Sequence, residues 1–138
     1  MKGFGRVPRT RGVTTNQGAG ILIVDAEEES RATVEKALET LGRELFLAAS
    51  GIDALEQLAD HWIALALIAL ELPGIDGLAV VKKIERDRPE VQVLVLTRDD
   101  SPDAVEECLR HGALEVMRKP VSAEHVRSAA SSALGLDA

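Results

Sequence analysis

The sequence predicts an α/β fold: five parallel strands form one sheet, and five helices cover both of its faces, giving three layers. Three observations predict it. Five short strand segments follow one another: Ile21-Leu22-Ile23-Val24, Glu44 to Ala49, Ile63 to Leu70, Val91 to Leu96 and Ala113 to Met117. Strands buried on both faces read as continuous apolar runs rather than as alternation. Between and after these runs, apolar residues recur at the three- and four-residue spacing of a helix. Helix-start and helix-stop residues separate the segments. Strict alternation of this kind makes βαβ units, with right-handed crossovers.

Each element has its own warrant. The first strand is apolar throughout and opens at Gly20. In the helix that follows it, Val34, Ala37, Leu38 and Leu41 share a face, and Gly42 ends it. After the second strand, Ser50 caps a helix with Asp53 three residues on and with Leu55, Leu58 and Ala59 inside. The third strand stops at the turn Leu72-Pro73-Gly74, and a helix starts near Asp76, burying Leu78, Val81 and Ile84. Beyond the fourth strand, Ser101-Pro102 places a cap before a proline at the first helical position. Val105, Cys108 and Leu109 line that helix. Ser122 caps the last helix, Val121 and Val126 bracket the cap, and Val126, Ala129, Ala130 and Ala133 form its inner stripe.

Composition narrows the function classes. The chain has 138 residues, 46% hydrophobic and 28% charged, which suits one globular domain. No apolar run reaches the roughly 18 residues needed to cross a bilayer, and no apolar leader opens the chain. With a single cysteine, Cys108, read as a small core residue, these features place the expected location in the cytoplasm. The formal net charge of −7 is uneven. Residues 1–20 carry Lys2, Arg6, Arg9 and Arg11 and no acid, so residues 1–19 are read as a flexible basic tail ahead of a domain spanning 20–138. The acidic body is not expected to bind nucleic acid. Phosphate-cradling glycine motifs of the GxGxxG and GxxxxGK types are absent.

In open α/β sheets, functional residues gather at the carboxyl ends of the strands. Those ends carry Asp25-Ala26, Ala69, Thr97 and Lys119-Pro120. Five segments in order, Ile-Leu-Ile-Val-Asp, Ala-Ala-Ser-Gly-Ile-Asp-Ala-Leu, Leu-Pro-Gly-Ile-Asp-Gly, Val-Leu-Thr and Gly-Ala-x5-Lys-Pro, resemble the receiver domain of response regulators over roughly residues 20–135. The resemblance implies a flavodoxin-like (βα)5 fold with strand order 2-1-3-4-5, the order given for chemotaxis receivers. It also implies a phosphoryl pocket in which an aspartate is the nucleophile, acids hold Mg²⁺, and a threonine and a lysine bind phosphoryl oxygens.

Carried onto this chain, the resemblance retains Asp25, Thr97 and Lys119. The phosphoacceptor position is Ala69, the second metal-site acid is replaced by Ala26, and the switch aromatic falls at Val116. A further common aspartate falls at Ala64. No catalytic residue is therefore assigned, the chain is not expected to be an enzyme, and Mg²⁺ binding is expected to be weak or absent, with Asp25 and Glu71 as weak candidates. Asp25 is expected to pair with Lys119. Thr97 is expected to bond nearby backbone, Glu71 to point to solvent or across the pocket mouth, and Glu27 to serve the dipole of the first helix. His61, His111 and His125 share no ligand spacing and are read as surface residues. Trp62 is read as a partial lid on the core.

The expected function is a phosphorylation-independent signalling and protein-interaction module. The partner would be a signalling protein or a second copy of the chain. It would meet the face built by the fourth helix, fifth strand and fifth helix, where Glu106, Arg110, Arg118 and Arg127 stand. Two alternatives stay open: a conventional phosphoacceptor whose acids were replaced by alanine in an engineered chain, and a small-molecule binder using the emptied pocket.

Overall fold

Eleven helical and strand elements alternate along the chain: β1 (Gly20–Val24), α1 (Glu28–Leu38), a 3₁₀ turn (Glu39–Leu41), β2 (Leu45–Ala48), α2 (Gly51–Asp60), β3 (Ile63–Ala69), α3 (Gly77–Asp87), β4 (Gln92–Thr97), α4 (Pro102–Arg110), β5 (Ala113–Arg118) and α5 (Ala123–Ala133). The structure is a computed structural model and describes residues 18–136. Apart from Gly18 and Ala19, the expected basic tail lies outside the described residues.

The five strands form one parallel sheet in the order β2-β1-β3-β4-β5, as the resemblance implies. Successive side chains of a strand point to opposite faces, and the apolar runs divide accordingly. Leu22, Val24, Ala66, Ile68, Val93 and Val95 pack with α2, α3 and α4 residues such as Leu58, Val80, Ile84 and Cys108. Ile21, Ile23, Leu65, Leu67, Leu94 and Leu96 pack with Val34 and Leu38 of α1 and Val126 and Ala130 of α5. All seven residues of β3 are buried, because this strand is central and covered on both sides. Each such leucine or isoleucine contributes about 1.5–3 kcal/mol by leaving water.

Helix starts follow cap chemistry. The side chains of Ser50, Asp76, Ser101 and Ser122 accept the backbone N–H of Asp53, Ala79, Ala104 and His125 at 3.1, 2.9, 3.4 and 3.0 Å. Gly42 ends the 3₁₀ turn at φ +73°, a conformation that strains residues with a Cβ. Leu41 belongs to that turn rather than to α1.

Several expected inner positions are less buried than the spacing implies, among them Leu41, Ala129 and Ala133, which are half-buried. Leu78 is only half-buried, and Val80 takes its place beside Val81 and Ile84. Leu109 is 47% exposed, because α4 presents only its Cys108 side fully to the sheet. Val105 is half-buried. Among the described residues no helix is long and apolar enough to cross a membrane.

Candidate functional site

Ladder hydrogen bonds continue past the strand ends and set the site. The N–H of Asp25 donates to the Ala48 carbonyl at 2.9 Å, that of Leu70 to Leu96 at 2.9 Å and that of Lys119 to Thr97 at 2.8 Å. These bonds carry Asp25, Glu71, Thr97 and Lys119 to one edge of the sheet. The Lys119–Pro120 peptide is cis.

At its centre is a buried ion pair. Lys119 Nζ lies 3.0 Å from Asp25 Oδ1 and 2.9 Å from Oδ2, and the two side chains are 2% and 0% exposed. Asp25 Oδ1 also accepts the N–H of Glu27 at 3.0 Å, and Arg31 donates to the Asp25 carbonyl at 2.8 Å. Opposite charges held this close, with further hydrogen bonds, offset the cost of leaving water.

Two glutamates complete the arrangement, and Glu27 departs from expectation. Glu27 occupies the N-cap position of α1, yet its side chain makes no cap bond. It instead accepts from Lys119 Nζ at 2.9 Å and takes a two-pronged bond from Arg98, Nε at 3.1 Å and Nη2 at 2.9 Å. The Arg98 fork and then Lys119 hold the Glu27 carboxyl down at about 2, and Glu27 in turn raises the Arg98 guanidinium. Sequence reasoning missed this role because Lys119 and Arg98 are both more than seventy residues away from Glu27. Glu71 points across the pocket mouth. Its Oε2 accepts the Thr97 hydroxyl at 2.6 Å, and its Oε1 lies 3.4 Å from the N–H of Arg98. Thr97 therefore spends its proton on a side chain rather than on nearby backbone, although its Oγ1 does accept the Asp99 N–H at 2.9 Å.

The remaining expected positions follow. Ala69 ends β3 fully buried, its methyl group offering no oxygen. Ala26 is exposed, and Val116 is half-buried on β5 against the α2–α4 side of the core. Ala64 is buried at the start of β3. Glu106, Arg110 and Arg118 are exposed and Arg127 is half-buried. Arg110 faces Glu106 at 3.8 Å and Arg118 faces Asp100 at 3.4 Å.

The histidines stand apart from one another. His61 stacks on Phe46 with ring centroids 4.1 Å apart, and His111 and His125 lie 2.9 and 2.6 Å from Glu85 and Glu115. Trp62 is 39% exposed with the Arg88 guanidinium 5.2 Å from its ring. Burial raises the Cys108 thiol, which suits a packing role.

The donor set does not fit Mg²⁺. A hard cation needs several oxygens. The one buried carboxylate, Asp25, is already neutralised by Lys119, and the Glu71 carboxylate is turned onto Thr97. Among the described residues no group of three or more His, Cys, Asp or Glu side chains is placed to hold a metal.

Comparison with known proteins agrees with the fold. The transcriptional regulatory protein ZraR of Escherichia coli (strain K12) is 30% identical over 120 residues, covering 87% of this chain and 27% of ZraR. Sporulation initiation phosphotransferase F of Bacillus subtilis (strain 168) is 28% identical over 116 residues, covering 84% of this chain and 94% of that protein. The chain thus spans about a quarter of the first relative and nearly all of the second. Among solved structures, the receiver domain of NtrX from Brucella abortus superposes with a TM-score of 0.78 at 28% identity, covering 85% and 99% of the two chains. A CheY-like receiver domain protein from Methanospirillum hungatei JF-1 gives 0.80 at 26%, covering 85% and 94%. The family described as response regulator receiver domain matches residues 21–131. By that match, which takes in the five strands but for Gly20 and nearly all of the last helix, the chain belongs to the response regulator receiver domain family.

Proposed function

We propose that this receiver domain works without a phosphoryl trigger, as a signalling and protein-interaction module whose pocket is held by internal ion pairs. The observation that carries the reading is Ala69 at the buried end of β3: a methyl group cannot attack phosphorus. The saturated pocket supports it, since Lys119, Arg98 and Thr97 all have carboxylate partners from within the chain. In this reading the domain is cytoplasmic, catalyses nothing itself and needs no Mg²⁺. Incubated with acetyl phosphate and Mg²⁺, the protein should keep its intact mass. A gain of one phosphoryl group labile to hydroxylamine would sink the proposal.

The two other readings have less support. Val116 and Ala64 depart from the family's pattern beyond the phosphoacceptor itself, and replacing the acids alone in an engineered chain would not explain both. A groove of about 460 Å³ beside Lys119 is lined by Glu27, Glu28 and Glu29, and its two cations, Arg98 and Lys119, are already paired. That lining is poor for an anionic small molecule.

The partner surface in this reading is the face of α4, β5 and α5, where exposed charges of both signs favour steering and specificity over raw affinity. Charge reversal at Arg110 and Arg118 should weaken partner capture while leaving the melting temperature within a few degrees. Capture that depends instead on α1 would remove this face from the proposal.

A further inference from the structure

Glu71 is the first link of a hydrogen-bond relay that ends in a helix cap. The Thr97 hydroxyl donates to Glu71 Oε2 at 2.6 Å, and Thr97 Oγ1 accepts the Asp99 N–H at 2.9 Å. Asp99 Oδ1 accepts the Ser101 N–H at 3.0 Å, and Ser101 Oγ accepts the Ala104 N–H at 3.4 Å. These bonds follow one another from the end of β4 to the first turn of α4, and the first two of them use the Thr97 hydroxyl. A fully buried hydroxyl needs an acceptor for its proton, and Thr97 has 0% exposure. The 2.6 Å contact is in the range of a charge-assisted O–H···O⁻ bond, about twice as strong as a neutral one. On the other side of the loop, the Arg98 side chain is held by Glu27. The segment is therefore gripped by two carboxylates, one from the loop after β3 and one from the loop after β1.

We infer that Glu71 is an intramolecular anion that clamps the β4–α4 loop, so that α4 and the proposed partner face around it adopt one arrangement in every molecule. The inference rests on the phosphorylation-independent reading, since a covalently bound anion at this edge would compete for the same donors. Glu71 itself is exposed, so its removal opens no core cavity. Thr97 has a β-branched side chain with few χ1 choices, so the loss of its carboxylate partner changes which choice is taken. Linked hydrogen bonds strengthen one another, and the loss passes along Asp99 and Ser101 to the cap of α4.

Amide hydrogen exchange on the intact chain tests the clamp. In Glu71→Ala, amides of residues 99–105 should exchange about tenfold faster than in the wild type, while those of α1 and α5 keep their rates. Thr97→Val, isosteric but without the hydroxyl, should show at least the same local increase, since it also removes the acceptor of the Asp99 N–H. The double variant should fall well short of the sum of the two, because both break the same bond. Glu71→Gln keeps an acceptor without the charge and should fall between wild type and Glu71→Ala, or match the latter. Unchanged exchange in Glu71→Ala, additive effects in the double variant, an equal rise across the whole chain, or a Gln variant as protected as wild type would each overturn the inference. The acetyl phosphate experiment fails separately: a phosphoryl adduct with the clamp intact would remove the trigger-free reading and leave the hydrogen-bond relay standing.

Discussion

Lys119→Met should lower the free energy of unfolding by about 3–5 kcal/mol, the cost of leaving a buried carboxylate without its cation. The magnitude follows from burial. Asp25 is fully covered, the Lys119 side chain is 2% exposed, and Nζ lies within 3.0 Å of both carboxylate oxygens. Methionine fills the same space with an unbranched apolar chain, so little of the loss comes from packing. The Glu27 N–H at 3.0 Å is one side-chain bond that Asp25 would keep, and one backbone donor does not replace an ammonium ion. Glu27 is partly exposed and can turn to water, so the penalty falls on Asp25. Urea unfolding should show a lower midpoint with an unchanged slope. Adding Asp25→Asn to Lys119→Met removes both charges and should recover most of the loss. An unchanged midpoint in the single variant would show that the pair contributes nothing to stability.

Gly77→Ala is expected to cost about 3 kcal/mol, the upper end of overpacking effects. Helix propensity alone points the other way, since alanine is better than glycine in a helix by about 0.8–1.0 kcal/mol. Packing decides the sign. A Cβ on Gly77 would lie 2.2 Å from the carbonyl oxygen of Ala69 and 2.6 Å from Cα of Leu70. Both neighbours are backbone, and β3 is the central strand of the sheet, paired on both sides. Neither can yield without disturbing the ladder, and the Gly77 N–H bond to the Leu70 carbonyl at 2.9 Å ties the helix start to the same place. Thermal unfolding should give a melting temperature lower by several degrees, with a shift upward disproving the clash. Because Ala69 and Leu70 lead directly to Glu71, this variant should also loosen the Thr97 contact.

The fold was legible because local signals agreed with one another. The apolar runs at Ile21–Val24 and Ile63–Ala69 contain no polar residue, and a strand of that kind needs cover on both faces. The caps Ser50, Asp76, Ser101 and Ser122 mark where the next helix begins, and each makes the backbone bond that its chemistry predicts. Errors fell where periodicity is ambiguous. Leu109 fits the apolar stripe of α4 by spacing, yet it stands 47% exposed, because a nine-residue helix on the sheet needs only a narrow contact. Leu78 and Val80 compete for the inner face of α3, and the position of Gly77 against β3 settles it for Val80.

The sequence by itself determined the alternation of elements, the family resemblance and an alanine at position 69, where that resemblance implies the phosphoacceptor, since each depends on residue identity or short spacing along the chain. It also brought Asp25 and Lys119 into one site, because strand ends of a parallel sheet share an edge. Only the tertiary structure decided how the pocket's donors are spent. Glu27 and Glu71 carry no local mark that distinguishes them from other acids near a helix start or a turn. Their partners, Lys119, Arg98 and Thr97, lie between 26 and 92 residues away. Which carboxylate meets which cation is fixed by side-chain reach across neighbouring loops, at separations of a few ångströms, and such contacts leave no periodicity to read.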